Sequence, residues 1–462
     1  MSTKRNSLQK SQAGQIGLLE KIAYGSGDLA SNLIMVLTTT YATFFYTDTL
    51  GLNPAVIGSI LLFSKFLDGF SDILMGFVMD KVRSKHGKAR AWLLWLAIPI
   101  GVATVMMFAV PNLGTAGKYI YVAITYNLVS TFLYTMINIP YGALNSLITR
   151  DQDQRMIINI FRMFMAQVGQ LVISGITLPF VNAIGGSQHQ KSWIIVSAIY
   201  GVIAAITFIF CFSNTKERVV LSAKSEEKIS FMKSLKVISK NNYWLLLVAA
   251  WVFLSLYINI TLMTASYYAK YVLNNENIAG LLLSSTMFSG LVVMVILPFF
   301  IRRFGKRNVA LFGCLISLAA QIAVLLNPTN LTWLIACSII KGGAASTMMG
   351  TIFAMVADTI EYGHWKTGVR VEGVLYSTTT FGAKIGAGLA PAIALGILGA
   401  SGYDGLAAVQ SAQAVKAIEG LYLYLPIPML VITPVIYAFY KLDKIYPKVM
   451  EELKEREDVE TK

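Results

Sequence analysis

Three charged side chains lie within one apolar stretch, FSKFLDGFSDILMG, at residues 63–76. Asp68 and Asp72 are four residues apart, and Lys65 precedes Asp68 by three. In an α-helix these spacings place all three side chains on one face. Two carboxylates one turn apart in a low dielectric repel each other unless a cation or a shared proton lies between them. The pattern predicts a cation or proton site, and the alternative is a Lys–Asp ion pair that only joins two helices.

Further polar and charged side chains interrupt other apolar stretches. They are Asp28 and Asn32 in KIAYGSGDLASNL, Tyr134, Thr135 and Asn138 in YTMINIPYGAL, Arg162 one turn after Asn159, and Thr380 and Lys384 in YSTTTFGAKIG. A charge at the centre of a membrane costs roughly 2.5–3.5 kcal/mol, so such residues usually face a cavity in which they function. An isolated Thr or Tyr more often forms a hydrogen bond between helices. Together these groups suit a ligand rich in hydroxyl groups.

The composition indicates a membrane protein with many helical spans. The 462 residues are 55% hydrophobic and 13% charged, whereas a soluble domain carries about 25% charged residues. Apolar runs of about 20 residues recur along the chain, and each is long enough to cross a bilayer. Twelve spans are predicted, at approximately 23–49, 54–79, 91–111, 118–147, 156–184, 193–213, 243–272, 278–301, 308–327, 331–357, 373–400 and 417–440.

The distribution of positive charge predicts the orientation of the chain. The loops after spans two and eight, DKVRSKHGKAR and RRFGKR, are basic, whereas the turns DTLGLNP and NPTNL contain no Lys or Arg. The positive-inside rule then places both termini in the cytoplasm. The net charge of +14 is explained by these loops, so it does not indicate a nucleic-acid partner.

Charged loops recur at matching positions in two sets of six spans. This predicts an all-α polytopic membrane protein with the major facilitator fold, in which 12 transmembrane helices form two six-helix halves with a substrate site between them. The predicted domains are a cytoplasmic segment 1–20, an N-terminal half 21–213, a cytoplasmic loop 214–242, a C-terminal half 243–441 and a cytoplasmic tail 442–462.

The sequence predicts a transporter rather than an enzyme, and no cofactor. No Walker A sequence or Gly-rich phosphate loop occurs, and the polar, basic N-terminus does not resemble a signal peptide. Cys211, Cys314 and Cys337 lie singly in apolar runs, as small core residues do. The partners expected are a small glycoside, a coupling cation and membrane lipid.

Six motifs resemble those of the glycoside–pentoside–hexuronide:cation symporters. They are KIAYGSGDLASN, FFYTDTLGL, LDGFSDILMG, SKHGKARAW, VADTIEYGHWKTGVRVEG and TTFGAKIG. The resemblance extends from about Lys21 to Lys441, and the motifs lie in order in both halves. It implies a major facilitator fold that couples Na⁺, Li⁺ or H⁺ to sugar uptake, subject to regulation in trans by phosphotransfer proteins.

The resemblance implies a cation site. Asp68 and Asp72 match the paired helix-two carboxylates of the family, and Thr135 matches the helix-four threonine. Ser71 stands where the family's melibiose carriers have an asparagine near the cation. This difference leaves the choice between Na⁺ and H⁺ open.

The resemblance also implies sugar-site and gating residues. Tyr134 and Arg162 match sugar-site positions, and Lys384 matches a helix-eleven lysine near both sites. Asp358 and Arg370 match a loop after span ten that helps to close the cytoplasmic gate.

Departures from the melibiose carriers bear on the substrate. Asn32 and Asn138 replace sugar-binding aspartates, and Gly142 and Met349 replace tryptophans. The motifs YGxGDxxxN and NIPYG resemble instead the glucuronide and xyloside branch, in which Asp28 is the membrane-embedded acid of helix one. A cavity with amides in place of carboxylates, beside buried cations, favours an acidic glycoside such as a glucuronide, and a xyloside is the neutral alternative.

Three other functions remain open from the sequence. They are an uncoupled sugar facilitator of the same fold, a sugar sensor that binds without transport, and a lysolipid transporter. The paired Asp68 and Asp72 argue against the first, and the lack of an added signalling domain in the sequence argues against the second. Lysolipid transport would need a large apolar cavity, which the sequence does not test.

Overall fold

The computed structural model describes residues 16–82, 84–149, 151–219, 239–368, 372–407 and 409–460. These residues form helices joined by short connections. In chain order the helices are α1 (Leu18–Val36, continued by Leu37–Tyr41, Ala42–Phe44 and Phe45–Thr49), α2 (Pro54–Lys81), α3 (Arg90–Phe108), α4 (Thr115–Ile148), α5 (Gln152–Ile184), α6 (Gln190–Asn214), α7 (Asn242–Tyr271), α8 (Ile278–Phe304), α9 (Lys306–Val324), α10 (Leu331–Thr367), α11 (Glu372–Ala400), α12 (Ala412–Glu419, Gly420–Tyr424 and Pro426–Phe439) and α13 (Leu442–Glu460).

Helices α1–α12 correspond to the twelve predicted spans. Within the described ranges, eleven segments are long and apolar enough to cross a membrane, and they correspond to α2–α12. Helix α1 lies outside this set because its first α-helical segment carries Glu20, Lys21 and Asp28. The observed ends mostly agree with the predicted ones to within a few residues. The exception is α10, which continues ten residues beyond its predicted end to Thr367.

Among the described residues, three helices contain π-helical turns. Helix α1 has two of them, Leu37–Tyr41 and Phe45–Thr49, and α12 has one at Gly420–Tyr424. In α4 the π-helical turn Leu128–Leu133 lies directly before the segment that carries the predicted site residues. Such turns are frequent at functional sites because they change the direction in which following side chains point.

Contacts divide the described residues into two compact units. The first takes those within 1–45 and 66–223, and the second those within 46–65 and 224–462. In the first unit α1 packs against α5 and α6, and α3 packs against α6. A side chain on Gly101 would meet the main chain of Gly201, so this pair of glycines permits the close approach of α3 and α6.

The second unit is built from three main helix pairs. Helix α8 packs on α10, α7 on α11, and α9 on α10. Residues 46–65, predicted within the N-terminal half, make their contacts in this unit. The end of α1 and the start of α2 therefore group with α7 and α11 rather than with the rest of their own helices.

The segment predicted as a charged tail forms a docked helix. Leu442, Val449 and Leu453 of α13 are buried. The indole nitrogen of Trp365 at the end of α10 donates to Glu452 Oε2 at 2.6 Å, and Arg456 donates to the Trp365 carbonyl at 2.9 Å. The buried apolar stripe of α13 packs against α10, a contact that the charged sequence of the tail does not predict.

The start of the predicted central loop is held against α1. Arg218 donates from both terminal nitrogens to the two carboxylate oxygens of Glu20, at 2.7 and 2.8 Å. These side-chain hydrogen bonds raise the pKa of Arg218 above its ordinary value. Glu217 accepts hydrogen bonds from the main-chain nitrogens of Lys88, Ala89 and Arg90 at the start of α3. This stretch is thus fixed to the first unit.

Candidate functional site

Four predicted cation-site residues meet where α2 crosses α4. The hydroxyl of Thr135 donates to Asp72 Oδ1 at 2.9 Å, and the Ser71 and Thr135 hydroxyl oxygens are 3.4 Å apart. Asp68, Ser71 and Thr135 are each less than 10% exposed. The structure therefore brings together two carboxylates and two hydroxyls, which are the hard oxygen ligands that an alkali cation prefers.

The π-helical turn of α4 adds a main-chain oxygen to this cluster. The Ser71 hydroxyl lies 3.1 Å from the Thr131 carbonyl oxygen and 3.0 Å from the Asp68 carbonyl oxygen. Thr131 belongs to the turn Leu128–Leu133. Because a π-helical turn bonds residues five apart, it departs from the regular α-helical ladder and exposes carbonyl groups to other partners. Ser71 therefore ties α2 to the irregular part of α4.

A second polar cluster joins α1 and α5. Arg162 Nε donates to Asp28 Oδ2 at 2.7 Å, with 26% and 13% of the two side chains exposed. Asp28 bonds Arg162 at Nε, so its carboxylate does not take up the edge formed by the two terminal nitrogens. That edge carries donors in the planar arrangement that binds a carboxylate or neighbouring hydroxyls.

Two tyrosines that the sequence reasoning did not single out complete this cluster. The Tyr24 and Tyr141 rings are fully buried and stack with centroids 4.8 Å apart. The guanidinium carbon of Arg162 lies 4.9 Å from the Tyr141 ring centroid. Both tyrosines lie inside motifs already recognised, YGSGD and NIPYG, but only the packing of α1 against α4 places their rings beside Arg162.

Three further predicted residues lie in the first unit. The Tyr134 hydroxyl is within electrostatic range of Asp28, Arg162, Asp72 and Asp68. Asn32 donates to the Asp28 main-chain carbonyl at 2.8 Å, which leaves its own amide oxygen as an acceptor. Asn138 is half-buried one turn after Tyr134.

The remaining predicted ligand residues belong to the second unit. Lys384 on α11 and Lys65 on α2 are half-buried there. Thr380 lies on α11, and its side chain is outside the described part of the chain. A role for these three residues beside the clusters of the first unit stays a prediction.

The predicted gating loop needs a correction. Asp358 does not lie in a loop, because α10 continues to Thr367, and it is 4% exposed. Lys306 at the start of α9 donates to both of its carboxylate oxygens at 2.6 Å. The predicted span ended at residue 357, but α10 continues for ten more residues, and α13 docks against this extension. Arg370 lies outside the described residues, and its predicted contact with the gate stays a prediction.

A buried carboxylate at the end of α1 was not predicted as a functional residue. Asp48 is 1% exposed. Its Oδ1 accepts from Lys270 Nζ and the Tyr271 hydroxyl, and its Oδ2 from the Tyr403 hydroxyl, each at 2.6 Å. Thr47 adds a fourth donor at 2.8 Å. We call this group the Asp48 cluster. The sequence feature that could have indicated this residue is an acid beside an apolar span, in FFYTDTLGL.

Lys341 is a second charge that the sequence reasoning missed. It is 2% exposed within α10 and donates to Gln321 Oε1 at 2.9 Å, with its Nζ 5.3 Å from the Tyr422 ring centroid. Gln321 donates in turn to the main-chain carbonyls of Tyr422 and Leu423 in the π-helical turn of α12. The sequence feature that could have indicated Lys341 is its position within the apolar span ten.

Comparisons with known proteins bear on the whole chain. A family model described as MFS/sugar transport protein matches residues 23–444. The isoprimeverose transporter of Lactiplantibacillus pentosus is 34% identical over 445 residues, which cover 95% of this chain and 91% of that protein. The inner membrane symporter YicJ of Escherichia coli is 31% identical over 414 residues, 89% of each chain.

The chain belongs to the glycoside–pentoside–hexuronide:cation symporter family. Among solved structures, a bacterial homologue of the lysosomal transporter Spinster matches with a TM-score of 0.67 at 16% identity, over 94% of this chain and 97% of that chain. This likeness concerns the fold alone. The predicted family, major facilitator fold and membrane location are thereby confirmed, and the protein is grouped with transporters rather than enzymes.

Proposed function

We propose that this symporter-family member couples import of a small glycoside to a cation gradient across the cell membrane, with both termini in the cytoplasm. The observation that supports this most directly is that the first unit holds both an Asp72–Thr135 contact suited to a cation and the Asp28–Arg162 pair. Tyr134 is within electrostatic range of both groups. A side chain shared by two sites allows occupancy of one to change the affinity of the other.

The chemistry assigned to each cluster follows from its charges. A cation or proton at Asp68 and Asp72 removes the repulsion between the two carboxylates. The Thr135 hydroxyl, which donates to Asp72, then gains freedom to reorient. Tyr134 directly precedes Thr135 on α4, so we expect this change to act on a side chain that is within electrostatic range of Asp28 and Arg162. The cation itself is Na⁺ or H⁺ in this proposal.

A xyloside is the substrate that we favour. Asp28 neutralises the charge of Arg162, so the pair offers hydrogen-bond donors with little net charge, which suits neutral hydroxyl groups. This argument reverses the preference drawn from the sequence, where Arg162 was taken as a net positive charge. The name of the Lactiplantibacillus relative points in the same direction, since isoprimeverose is a xyloside.

An acidic glycoside is the second candidate. The terminal edge of Arg162 that Asp28 does not occupy has the geometry to bind a carboxylate through two parallel hydrogen bonds. A glucuronide would use that edge and gain from the charge of the guanidinium. The two candidates therefore differ in whether the terminal edge of Arg162 binds a carboxylate or neutral hydroxyl groups.

Uptake into liposomes tests this proposal. The purified chain would be reconstituted and given isoprimeverose, a nitrophenyl β-glucuronide, its neutral glucoside counterpart or a lysolipid, with an inward Na⁺ or H⁺ gradient. We expect isoprimeverose to accumulate above its external concentration only when one of the gradients is imposed. Equilibration without accumulation would instead indicate a facilitator, and uptake of the lysolipid alone would indicate a lipid transporter.

A further inference from the structure

We infer that Tyr141 is a positioning residue that holds the Arg162 guanidinium in one orientation; this inference rests on the proposed function, because it assigns Arg162 to the glycoside site. Two contacts on different sides restrict the guanidinium. Asp28 bonds Nε at 2.7 Å, and the face of the Tyr141 ring lies 4.9 Å from the guanidinium carbon. One hydrogen bond alone leaves a guanidinium free to rotate about it, whereas the ring face fixes its plane.

The Tyr141 ring is itself held by α1. Its hydroxyl donates to the Tyr24 main-chain carbonyl, and the Tyr24 hydroxyl donates to the Tyr141 carbonyl at 3.3 Å. The two rings stack with an interplanar angle of 24°. Because both rings are fully buried, this reciprocal arrangement gives Arg162 a rigid surface rather than a mobile one.

Gly27 provides the space for that surface. A methyl group at Gly27 would overlap the Tyr141 ring. The next residue, Asp28, supplies the carboxylate that bonds Arg162. Two consecutive residues of α1 therefore serve the same guanidinium. Gly27 leaves room for the ring, and Asp28 supplies the carboxylate.

The expected consequence concerns substrate affinity. With its plane fixed, Arg162 directs its two terminal nitrogens at the bound glycoside in advance, so binding does not have to order that side chain. Loss of the attraction between the ring and the cation should therefore weaken glycoside binding and leave the cation cluster of α2 and α4 unaffected. A residue that only supports the fold would change protein yield and maximal rate instead.

The test varies the ring electronics at constant shape. Tyr141 would be replaced by phenylalanine and by mono-, di- and trifluorophenylalanine, which progressively remove negative charge from the ring face. Tyr141→Phe is the reference of the series, since it already lacks the hydroxyl; from it to the trifluoro variant we expect the KM for isoprimeverose to rise about tenfold, with an unchanged half-activating cation concentration. The same residues at Tyr422, whose ring faces Lys341, form the matched control and should leave KM unchanged.

A second measurement does not depend on transport. Fluorination at Tyr141 should lower the melting temperature of the purified protein when Arg162 is present and have no such effect in an Arg162→Met background. A flat KM series, or equal melting losses in the two backgrounds, would overturn the positioning role. If wild-type protein takes up no glycoside, the proposed function fails, and the melting series still decides whether Tyr141 holds Arg162.

Discussion

At the scale of single residues, the carboxylates differ in the groups that contact them. Asp28 and Asp48 each face a cation directly, at 2.7 and 2.6 Å. Asp72 instead accepts from the neutral hydroxyl of Thr135. A carboxylate beside a hydroxyl and a second acid brings together oxygen ligands that suit a cation.

Asp72→Asn should abolish uphill accumulation of the glycoside, because it removes one negative charge from the cation cluster. Exchange of labelled for unlabelled glycoside should persist, since the Asp28–Arg162 pair is unchanged. Both would be measured in liposomes containing the purified variants. Asp404→Asn, an exposed acid in the connection between α11 and α12, is the control, and normal accumulation by the Asp72 variant would remove the cation assignment.

Asn138→Asp tests the charge of the substrate. A carboxylate on α4, one turn beyond Tyr134, would repel an acidic ligand held by Arg162 and would still accept hydrogen bonds from neutral hydroxyls. We expect the KM for a nitrophenyl β-glucuronide to rise at least about tenfold more than the KM for the neutral glucoside, by ordinary charge–charge energies in a partly buried site. Asn308→Asp, exposed on α9, controls for added charge. Equal losses for both ligands would contradict the assignment of Asn138 to the glycoside site.

At the scale of helices, the agreement between sequence and structure has a physical basis and a limit. Apolar runs locate the spans because each must match the thickness of a bilayer. The same criterion does not locate the end of α10, where Asp358 lies in a polar but still helical segment. Nor does it show that Tyr24 and Tyr141 form one stacked pair, since the pairing depends on how α1 meets α4. Asp68 and Asp72 were predicted as a pair because their spacing is visible within one helix, whereas Thr135 was predicted from the family resemblance.

Asp48→Asn should destabilise the second unit. The substitution removes the negative charge that Lys270 faces and places an amide donor among four existing donors, leaving a buried ammonium without its counter-charge. Breaking a buried ion pair in this way costs about 3–5 kcal/mol. A fall in the melting temperature of the purified protein would show it, with Asp404→Asn again as the control. Retention of the wild-type melting temperature would mean that the Asp48 cluster contributes little to stability.

At the scale of the whole molecule, the compact units do not follow the order of the chain. The second unit includes residues 46–65 as well as everything after the central loop. The predicted division into halves at 214–242 is based on the repeated pattern of charged loops in the sequence. The division into compact units is based on contacts, which group the end of α1 and the start of α2 with later helices. The difference arises because hydrogen bonds from α7 and from Tyr403 reach the end of α1.

Separate expression of the C-terminal part tests this division. A fragment of residues 239–462 lacks Asp48, so Lys270, Tyr271 and Tyr403 lose their common acceptor. We expect it to be less resistant to proteolysis than the same fragment co-expressed with residues 1–238. Equal resistance in the two samples would show that residues 46–65 do not complete the second unit.

The location of Asp48 also has a consequence for synthesis. A ribosome makes the chain from its N-terminus, so Asp48 leaves the ribosome more than two hundred residues before Lys270 and more than three hundred and fifty before Gly405, which packs against the Thr47 main chain. Until α7 and α11 have been inserted, the Asp48 carboxyl at the end of α1 lacks its final partners. The last turn of the first helix therefore completes its native contacts only after Gly405 has been made, late in the synthesis of the chain.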